Sequence, residues 1–245
     1  MAWLIVTVVP YGAAMVMVSA FVRGARLYWM CAGWMRLAIW GAEAICGIRY
    51  RVQGRENLPD GPVVLAPKHQ SAWETLAFTI IMPRPLCFVF KRELLWVPFF
   101  GWAMSRLDMI HIDRSRRMAA WNKVAEQGAR YLRQGNWVIM FPEGTRTPRG
   151  RQGVYKAGAA HLAITTSASL LPIAVTSARC WPRKAFIKKP GLIEVSIGKP
   201  IPSEGRLPDE MMREAEAWIE AEMRRLDPEA YSPIEAAHTE PARVS

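Results

Sequence analysis

Short apolar runs alternate with stretches of helical character along the chain from residue 50 onward. The apolar runs predict strands at residues 62–66, 86–90, 109–112, 137–141, 170–175 and 192–197. The stretches between and after them predict helices at residues 72–81, 96–106, 118–133, 156–165 and 209–226. This alternation is typical of an α/β domain in which helices cover a sheet, and ligand sites collect where the strands of such a sheet end.

The amino-terminal part of the chain has a different pattern. Residues 1–22 contain no charged side chain. This run is long enough to cross a bilayer whose hydrocarbon core is about 30 Å thick. A removable signal peptide is the alternative, but such a peptide starts with basic residues, and none precedes this stretch.

A second apolar and aromatic segment, residues 27–48, contains Arg36 and Glu43. Charges at these positions suit a helix at the membrane interface better than a second span. Arg23, Arg26 and Arg36 follow the first segment, and basic residues favour the cytoplasmic side. We therefore expect the rest of the chain on the cytoplasmic face of the inner membrane.

The length of 245 residues allows one sizeable domain with an appendage. Residues 1–48 are predicted to be membrane-anchoring helices, and residues 49–227 the α/β domain. Residues 228–245 form a short segment that lacks a periodic pattern and is rich in Pro, Ala and Glu, which predicts a flexible tail.

A formal net charge of +11, with a pI near 9.9, indicates an anionic partner. The basic residues cluster at residues 114–117, 146–151 and 183–189. Nucleic acid is not expected, because the clusters are short and no nucleic-acid-binding motif is present. Anionic membrane lipids or a phosphate-bearing substrate explain the charge instead.

The four cysteines are scattered without a CxxC pair, which predicts neither a zinc site nor a disulfide framework. His111, His161 and His238 lack the spacing of metal ligands. We therefore expect no metal site, and a reducing compartment for the chain.

His69 and Glu74 are the first candidate catalytic pair, because they directly follow a predicted strand. An imidazole takes up a proton near neutral pH, and a carboxylate can hold its tautomer. The two can meet only if His69 precedes a helix whose first turn contains Glu74, and Ser71 is suited to begin that helix. The alternative is a simple capping box, in which Glu74 binds the backbone N–H of Ser71. No nucleophile elbow accompanies the pair, so a base acting on a substrate hydroxyl is the favoured chemistry.

A second motif, residues 141–146 (Phe-Pro-Glu-Gly-Thr-Arg), follows the predicted strand at 137–141. Gly144 permits close backbone approach, and the guanidinium of Arg146 suits phosphate. The alternative is a turn in which Glu143 pairs with Arg146.

Two weaker features complete the set. Arg114 stands just after the predicted strand at 109–112, although pairing with Asp113 would also explain it. Pro172 interrupts an apolar run, which is typical of an edge strand or a bulge.

Together these blocks resemble the 1-acylglycerol-3-phosphate acyltransferase branch of the glycerolipid acyltransferase family. The family's first block, H-x4-D, is matched by His69 and, with glutamate in place of aspartate, by Glu74. The other blocks are matched by Arg114 after an apolar run, by residues 141–146 as F-P-E-G-T-R, by residues 171–173 as apolar-Pro-apolar, by residues 91–94 as K-x-E-L and by residues 156–158 as K-x-G. Because these blocks are intact, we expect the longer carboxylate at residue 74 to be tolerated.

The resemblance implies a mixed sheet covered by helices, with an N-terminal membrane-associated segment. It implies transfer of a fatty acyl group from acyl-CoA or acyl carrier protein to the sn-2 hydroxyl of lysophosphatidic acid, giving phosphatidic acid. His69 is then the general base, and Glu74 orients it. The implied substrate-binding residues are Lys91, Arg114, Glu143, Gly144, Thr145 and Arg146.

No cofactor is implied, because the thioester is already activated. One alternative keeps the chemistry but changes the acceptor to another lysolipid, such as a lyso-ornithine lipid. The other is a catalytically lapsed protein that binds anionic lipid at the membrane.

Overall fold

A computed structural model of the protein describes residues 2–113, 117–183 and 185–231. Within these residues, seven strands form one sheet in the order β1-β7-β6-β2-β5-β3-β4. The strands are β1 Ile48–Gln53, β2 Val63–Pro67, β3 Leu86–Lys91, β4 Ile110–Ile112, β5 Trp137–Ile139, β6 Ser169–Val175 and β7 Gly191–Ile197.

The sheet is mixed, as the resemblance implied. Strands β2 to β6 run parallel to one another, β7 is antiparallel to β6, and β1 is parallel to β7. The six predicted strands are confirmed, with ends shifted by one or two residues. Strand β1 was missed because it is an edge strand whose outward positions, Arg49 and Arg51, are exposed.

Helices cover both faces of the sheet. They are α1 Ala2–Val18, α2 Gly24–Cys46, α3 Trp73–Ile81, α4 Phe100–Met104, α5 Arg117–Arg133, α6 Gly158–Thr165 and α7 Pro208–Leu226. The predicted helix at residues 96–106 is wrong over its first part. A 3-10 turn, Arg92–Trp96, precedes the short α4, because Pro98 forces Val97 into an extended conformation and prevents one continuous helix.

Strand β2 shows why its sequence is apolar throughout. Val63 and Leu65 pack on the side of the sheet that α2 and α3 cover. Val64 and Ala66 pack on the opposite side, against α5, α6 and α7. Both faces of a central strand are therefore buried, and a polar residue has no exposed position along it.

Helices α1 and α2 correspond to the two apolar segments predicted at the amino end of the chain. Helix α1 has 17 residues, which span about 26 Å at 1.5 Å per residue, less than a bilayer core of about 30 Å. In the described part of the chain, no helix combines the length and apolarity that a membrane crossing requires. Tyr28, Trp34 and Ala38 of α2 are buried in the same core as the sheet. The left-handed conformation of Gly47 ends α2 and allows β1 to start at once.

Pro172 does not lie in an edge strand, because β6 is an interior strand between β7 and β2. The pairing of β6 with β7 ends at Ile173, and the N–H of Gly198 donates to the carbonyl of Pro172 at 2.9 Å. The proline thus stands where the ladder is interrupted, before Leu170 and Ile201 pair again. Proline has no N–H to donate, and at this interruption none is needed. Of the two predicted explanations, an edge strand or a bulge, the structure has the bulge.

Part of the predicted tail is regular. Pro228–Tyr231 forms a 3-10 turn, and the ring of Tyr231 packs against the cluster formed by α7 and β6. The tyrosine covers an apolar surface there, and the flexibility of residues 228–245 stays a prediction. Residues 232–245 lie outside the described residues. The division of the chain at residues 48 and 227 stays a prediction.

Candidate active site

Five strands, β2 to β6, end at one edge of the sheet because they are parallel. His69 follows β2, residues 141–146 follow β5, and Lys91 ends β3. Segments that are distant in the chain are thus brought side by side. They border an open cleft of about 950 Å³. That volume is sufficient for a sizeable organic substrate.

The cleft combines apolar and cationic side chains. Its apolar lining includes Phe88, Phe90, Trp121 and Met140, and its cationic lining includes Lys91, Arg146, Lys156 and Arg183. A ligand that carries both a hydrocarbon chain and an anionic group would fit such a lining, because each part finds a complementary surface.

His69 and Glu74 form the predicted pair. His69 lies before α3, and Glu74 lies in its first turn, so the ring Nδ1 is 2.5 Å from Glu74 Oε2. The second carboxylate oxygen, Oε1, accepts from the backbone N–H of Gln70 at 2.9 Å and of Ser71 at 2.8 Å. It also accepts from the hydroxyl of Ser177. Capping and pairing with the histidine therefore occur together, with one oxygen for each.

The environment of Glu74 fixes the histidine tautomer. Its side chain is fully buried and surrounded by donors, so it acts as an acceptor toward His69. In the neutral ring Nδ1 then carries the proton, and Nε2 is the nitrogen that can accept one.

The ring of His69 is also fixed in its plane. It stacks on the ring of Phe141, with 3.8 Å between centroids and 22° between planes. The side chain is 12% exposed and lines the cleft. An imidazole that is oriented by a carboxylate and open to a cleft has the geometry of a general base.

Glu143 does not contact the cleft, although the sequence motif predicts it as a substrate-binding residue. Its side chain is buried, and Oε1 accepts from Lys68 Nζ at 2.7 Å. Oε2 accepts from the backbone N–H of His69 at 3.1 Å. No ion pair joins Glu143 to Arg146, although both side chains are described. The buried ammonium of Lys68 requires a counter-charge, and Glu143 supplies it.

Lys68 connects the site to the carboxyl-terminal helix. Nζ also lies 2.7 Å from Glu220 Oε1 on α7 and 3.1 Å from the carbonyl of Arg151. The hydroxyl of Tyr155 donates to the same Glu220 oxygen at 2.8 Å. Burial, together with the nearby carboxylates of Glu143 and Glu220, raises the pKa of Tyr155. Tyr155 therefore remains a neutral donor in this network.

The loop after β5 holds the backbone of His69 from the other side. Thr147 donates to the carbonyl of His69 through its N–H at 2.8 Å and through its hydroxyl at 3.1 Å. Together with the bond from the N–H of His69 to Glu143, these bonds satisfy both polar backbone groups of His69. The motif at residues 141–146 thus positions the base as well as bordering the cleft.

The remaining predicted residues lie at the cleft, with one exception. Lys91, Gly144, Thr145 and Arg146 all line it. Gly144 has φ of 66°, and its N–H donates to the carbonyl of Phe141 at 3.0 Å, so the turn needs a left-handed residue at this position. Arg114 lies outside the described residues.

Sequence reasoning missed Lys68, Thr147, Ser177 and Glu220. A signal existed for Lys68, since a single cation at the end of a fully apolar strand requires a buried partner. Ser177 and Glu220 gave no such signal. Both reach the site only through the tertiary fold. Ser177 is 103 residues away in sequence from its partner Glu74. Glu220 is 152 residues away from its partner Lys68.

Residues 49–176 match the sequence model of the family described as Acyltransferase, and the chain belongs to that family.

The relatives carry a more particular name. A 1-acyl-sn-glycerol-3-phosphate acyltransferase of Pseudomonas aeruginosa is 42% identical over 226 residues, which cover 90% of this chain and 86% of that protein. The human 1-acyl-sn-glycerol-3-phosphate acyltransferase alpha is 33% identical over 181 residues, which cover 72% of this chain and 63% of that protein.

A solved structure supports the fold. The crystal structure of the 1-acyl-sn-glycerophosphate (LPA) acyltransferase PlsC from Thermotoga maritima superposes with a TM-score of 0.76. It covers 91% of this chain and 90% of that chain, at 22% sequence identity. The mixed α/β architecture is therefore shared over most of both chains.

Proposed function

We propose that this protein transfers a fatty acyl group from an acyl thioester to the sn-2 hydroxyl of lysophosphatidic acid, giving phosphatidic acid. The observation that carries the proposal is the His69–Glu74 pair, with Nδ1 held at 2.5 Å from the carboxylate and the ring lining a cationic and apolar cleft. The names of the relatives supply the acceptor and the product.

In the first step, His69 Nε2 takes the proton of the acceptor hydroxyl as its oxygen attacks the thioester carbonyl. The ring becomes an imidazolium, and Glu74 stabilises that charge through Nδ1–H. The stacking of Phe141 and the fixed peptide of His69 keep Nε2 in place, so little reorganisation accompanies the proton transfer.

In the second step, the tetrahedral oxyanion collapses, and the carbon–sulfur bond breaks. The leaving thiolate takes the proton from the imidazolium, which restores the starting tautomer. The thioester is already activated, so the proposal includes no metal and no bound cofactor. The donor is acyl-CoA or acyl carrier protein.

The acceptor phosphate is held by cations of the cleft. Arg146 offers a planar fork for two phosphate oxygens, and Lys91 adds a point charge. Thr145 and Gly144 border the same part of the cleft. Arg114 is proposed for the same role by its motif alone.

We also propose that α1 and α2 hold the domain at the cytoplasmic face of the inner membrane. Several of their large apolar side chains are exposed: Ile5, Val6, Met17, Trp40 and Ile45. An apolar surface of this kind suits burial in the outer part of a lipid leaflet. The substrate and the product would then be exchanged without leaving the bilayer.

The test is acyl transfer to lysophosphatidic acid by purified protein, with acyl-CoA and with acyl carrier protein as donors. His69→Ala should lower turnover about a hundredfold to ten-thousandfold while the protein stays folded, because a general base contributes that much. His161→Ala, an exposed residue on α6, is the matched control and should leave turnover unchanged. Near-normal turnover of His69→Ala would remove the proposed base.

The carboxylate is tested separately. Glu74→Gln should lower turnover strongly, because an amide cannot balance the charge of the imidazolium. Glu74→Asp restores the residue of the family pattern and should keep more activity than Glu74→Gln. Full activity of both variants would leave Glu74 with the capping role alone.

The alternatives differ in what they predict. An enzyme for a phosphate-free lysolipid would prefer a lyso-ornithine acceptor over lysophosphatidic acid in a panel of headgroups. A lapsed enzyme would bind anionic vesicles without consuming any thioester.

A further inference from the structure

The segment between β6 and β7 lies at the same end of the sheet as the cleft. Strand β6 is parallel to β2, and β7 is antiparallel to β6, so the connection leaves and re-enters the sheet beside His69. Strand β1 is parallel to β7, which brings the end of α2 to this edge as well. The N–H of Gly191 donates to the carbonyl of Gly47 at 3.1 Å.

Two large apolar side chains project from this connection. Phe186 is 81% exposed, and Ile187 is 78% exposed. Adjacent residues of this kind are unfavourable in water, because their apolar surface gains free energy on transfer to an apolar environment. Neither residue contributes to a core cluster among the described residues.

The backbone beneath these residues is anchored. The N–H of Lys189 donates to the carbonyl of Cys180 at 2.9 Å, which closes the base of the connection. The ammonium of Lys188 lies 5.0 Å from the centre of the Trp181 ring and donates to the carbonyl of Ala185. The two apolar side chains are thus held outward by a defined turn.

Exposed cations flank the pair along the chain. Arg183 and Lys189 are exposed, and Arg183 donates to the carbonyl of Arg146 at 2.9 Å, beside the cleft. On the other side, Ile45 near the end of α2 is 63% exposed. Apolar tips flanked by basic residues are complementary to a bilayer with anionic headgroups.

We propose that Phe186 and Ile187 insert into an anionic lipid surface and form a second membrane contact, separate from α1. Arg183 and Lys189 would bind the headgroups around them. This contact would place the mouth of the cleft against the leaflet that contains the acceptor. The inference rests on the proposed function, because it presupposes a substrate that resides in the bilayer.

The experiment uses the full chain and vesicles of equal parts phosphatidylglycerol and phosphatidylethanolamine. The double variant Phe186→Asp/Ile187→Asp is compared with Leu207→Asp, a control whose side chain is 70% exposed just before α7. Partition onto vesicles is measured by flotation. Acyl transfer is measured with a short-chain, water-soluble lysophosphatidic acid and with long-chain acceptor in the vesicles.

The double variant should partition about tenfold more weakly or worse, since two apolar groups are lost from the lipid contact. It should acylate the short-chain acceptor like the wild type and lose activity on the vesicle-bound acceptor. Leu207→Asp should change neither the partition nor the acyl transfer.

Unchanged partition of the double variant, or an equal loss of partition in the control, would overturn the inference. So would a loss confined to acyl carrier protein as donor, because the tip would then dock a protein. Absence of short-chain transfer in the wild type would count against the proposed function alone, since partition is measured independently.

Discussion

Lys68 and Glu143 are joined by a buried ion pair, with 2.7 Å between Nζ and Oε1, directly beneath the histidine of the site. One residue follows β2, and the other follows β5. The same carboxylate also accepts the backbone N–H of His69, so the ion pair and the position of the base are linked. The glutamate of the F-P-E-G-T-R motif thereby holds the backbone of His69 in place.

Replacement of this lysine should be strongly destabilising. We expect Lys68→Met to lower the free energy of unfolding by about 3–5 kcal/mol, because Glu143 and Glu220 would then face each other in the interior without a cation. Urea denaturation followed by circular dichroism measures the change. Arg225→Met, which removes an exposed ion pair to Glu222, is the control and should cost less than about 1 kcal/mol. Equal midpoints for Lys68→Met and the wild type would contradict the assigned network.

The hydroxyl of Ser177 should matter for both stability and turnover. Ser177→Ala removes one donor from the buried carboxylate of Glu74, which should cost about 1–3 kcal/mol of stability and loosen the orientation of His69. Thermal unfolding and acyl transfer by the same preparation test this. Ser105→Ala is the control, because that hydroxyl donates to a carbonyl of its own helix at the surface. If both variants behaved alike, Ser177 would have no special role.

Recognition of the acceptor phosphate can be separated from chemistry. Arg146→Met should raise KM for lysophosphatidic acid about tenfold to a hundredfold, because a charge-assisted bond is worth about 1.5–3 kcal/mol. Turnover at saturation should fall less. Arg133→Met, an exposed residue at the end of α5, should leave KM as it was. The variant should also lose its preference for lysophosphatidic acid over a monoacylglycerol without phosphate. A retained preference would argue against contact with the phosphate.

The environment of His111 predicts a dependence of stability on pH. Burial lowers the pKa of His111 below its ordinary value, and the neighbouring charges of Lys123 and Arg92 lower it further. The pKa of His111 is therefore lower in the folded state than in the unfolded state. Its contribution to the free energy of unfolding is fully present above about pH 6.5 and decreases as pH falls below that value. Urea unfolding at about pH 7.5 and about pH 5 measures the decrease.

His111→Gln should reduce that decrease, since the uncharged amide does not have to take up a proton in the unfolded state. The exposed residue His161 provides the comparison, and His161→Gln should retain the decrease seen in the wild type. An identical pH dependence in all three proteins would show that other groups dominate.

The sequence predicted the elements with strong patterns. Strand β2 is apolar on both faces, and α7 has acidic residues in its first turn and basic residues in its last turn, so both were found. Strand β1 and the 3-10 turn at Arg92–Trp96 were not. An edge strand with exposed arginines lacks an apolar run, and Pro98 divides what composition alone favours as one helix.

At the site, the paired histidine and carboxylate were predictable because they are five residues apart on a strand-to-helix junction. The direction of Glu143 was not, because it depends on a lysine 75 residues away in sequence. Motifs indicate which residues matter, whereas the choice between contacting a ligand and supporting another residue depends on tertiary partners. Two residues of the same motif illustrate this, because Glu143 is buried against Lys68 whereas Arg146 lines the cleft.

Helix α7 begins at Pro208, beyond the region 49–176 that defines the family by sequence. Its Glu220 nevertheless shares the ammonium of Lys68 with Glu143. A truncated chain that ended with the recognised family region would retain the histidine, its carboxylate and the whole F-P-E-G-T-R motif. It would lack half of the negative charge around that lysine, and so the minimal folding unit extends well past the minimal catalytic motif.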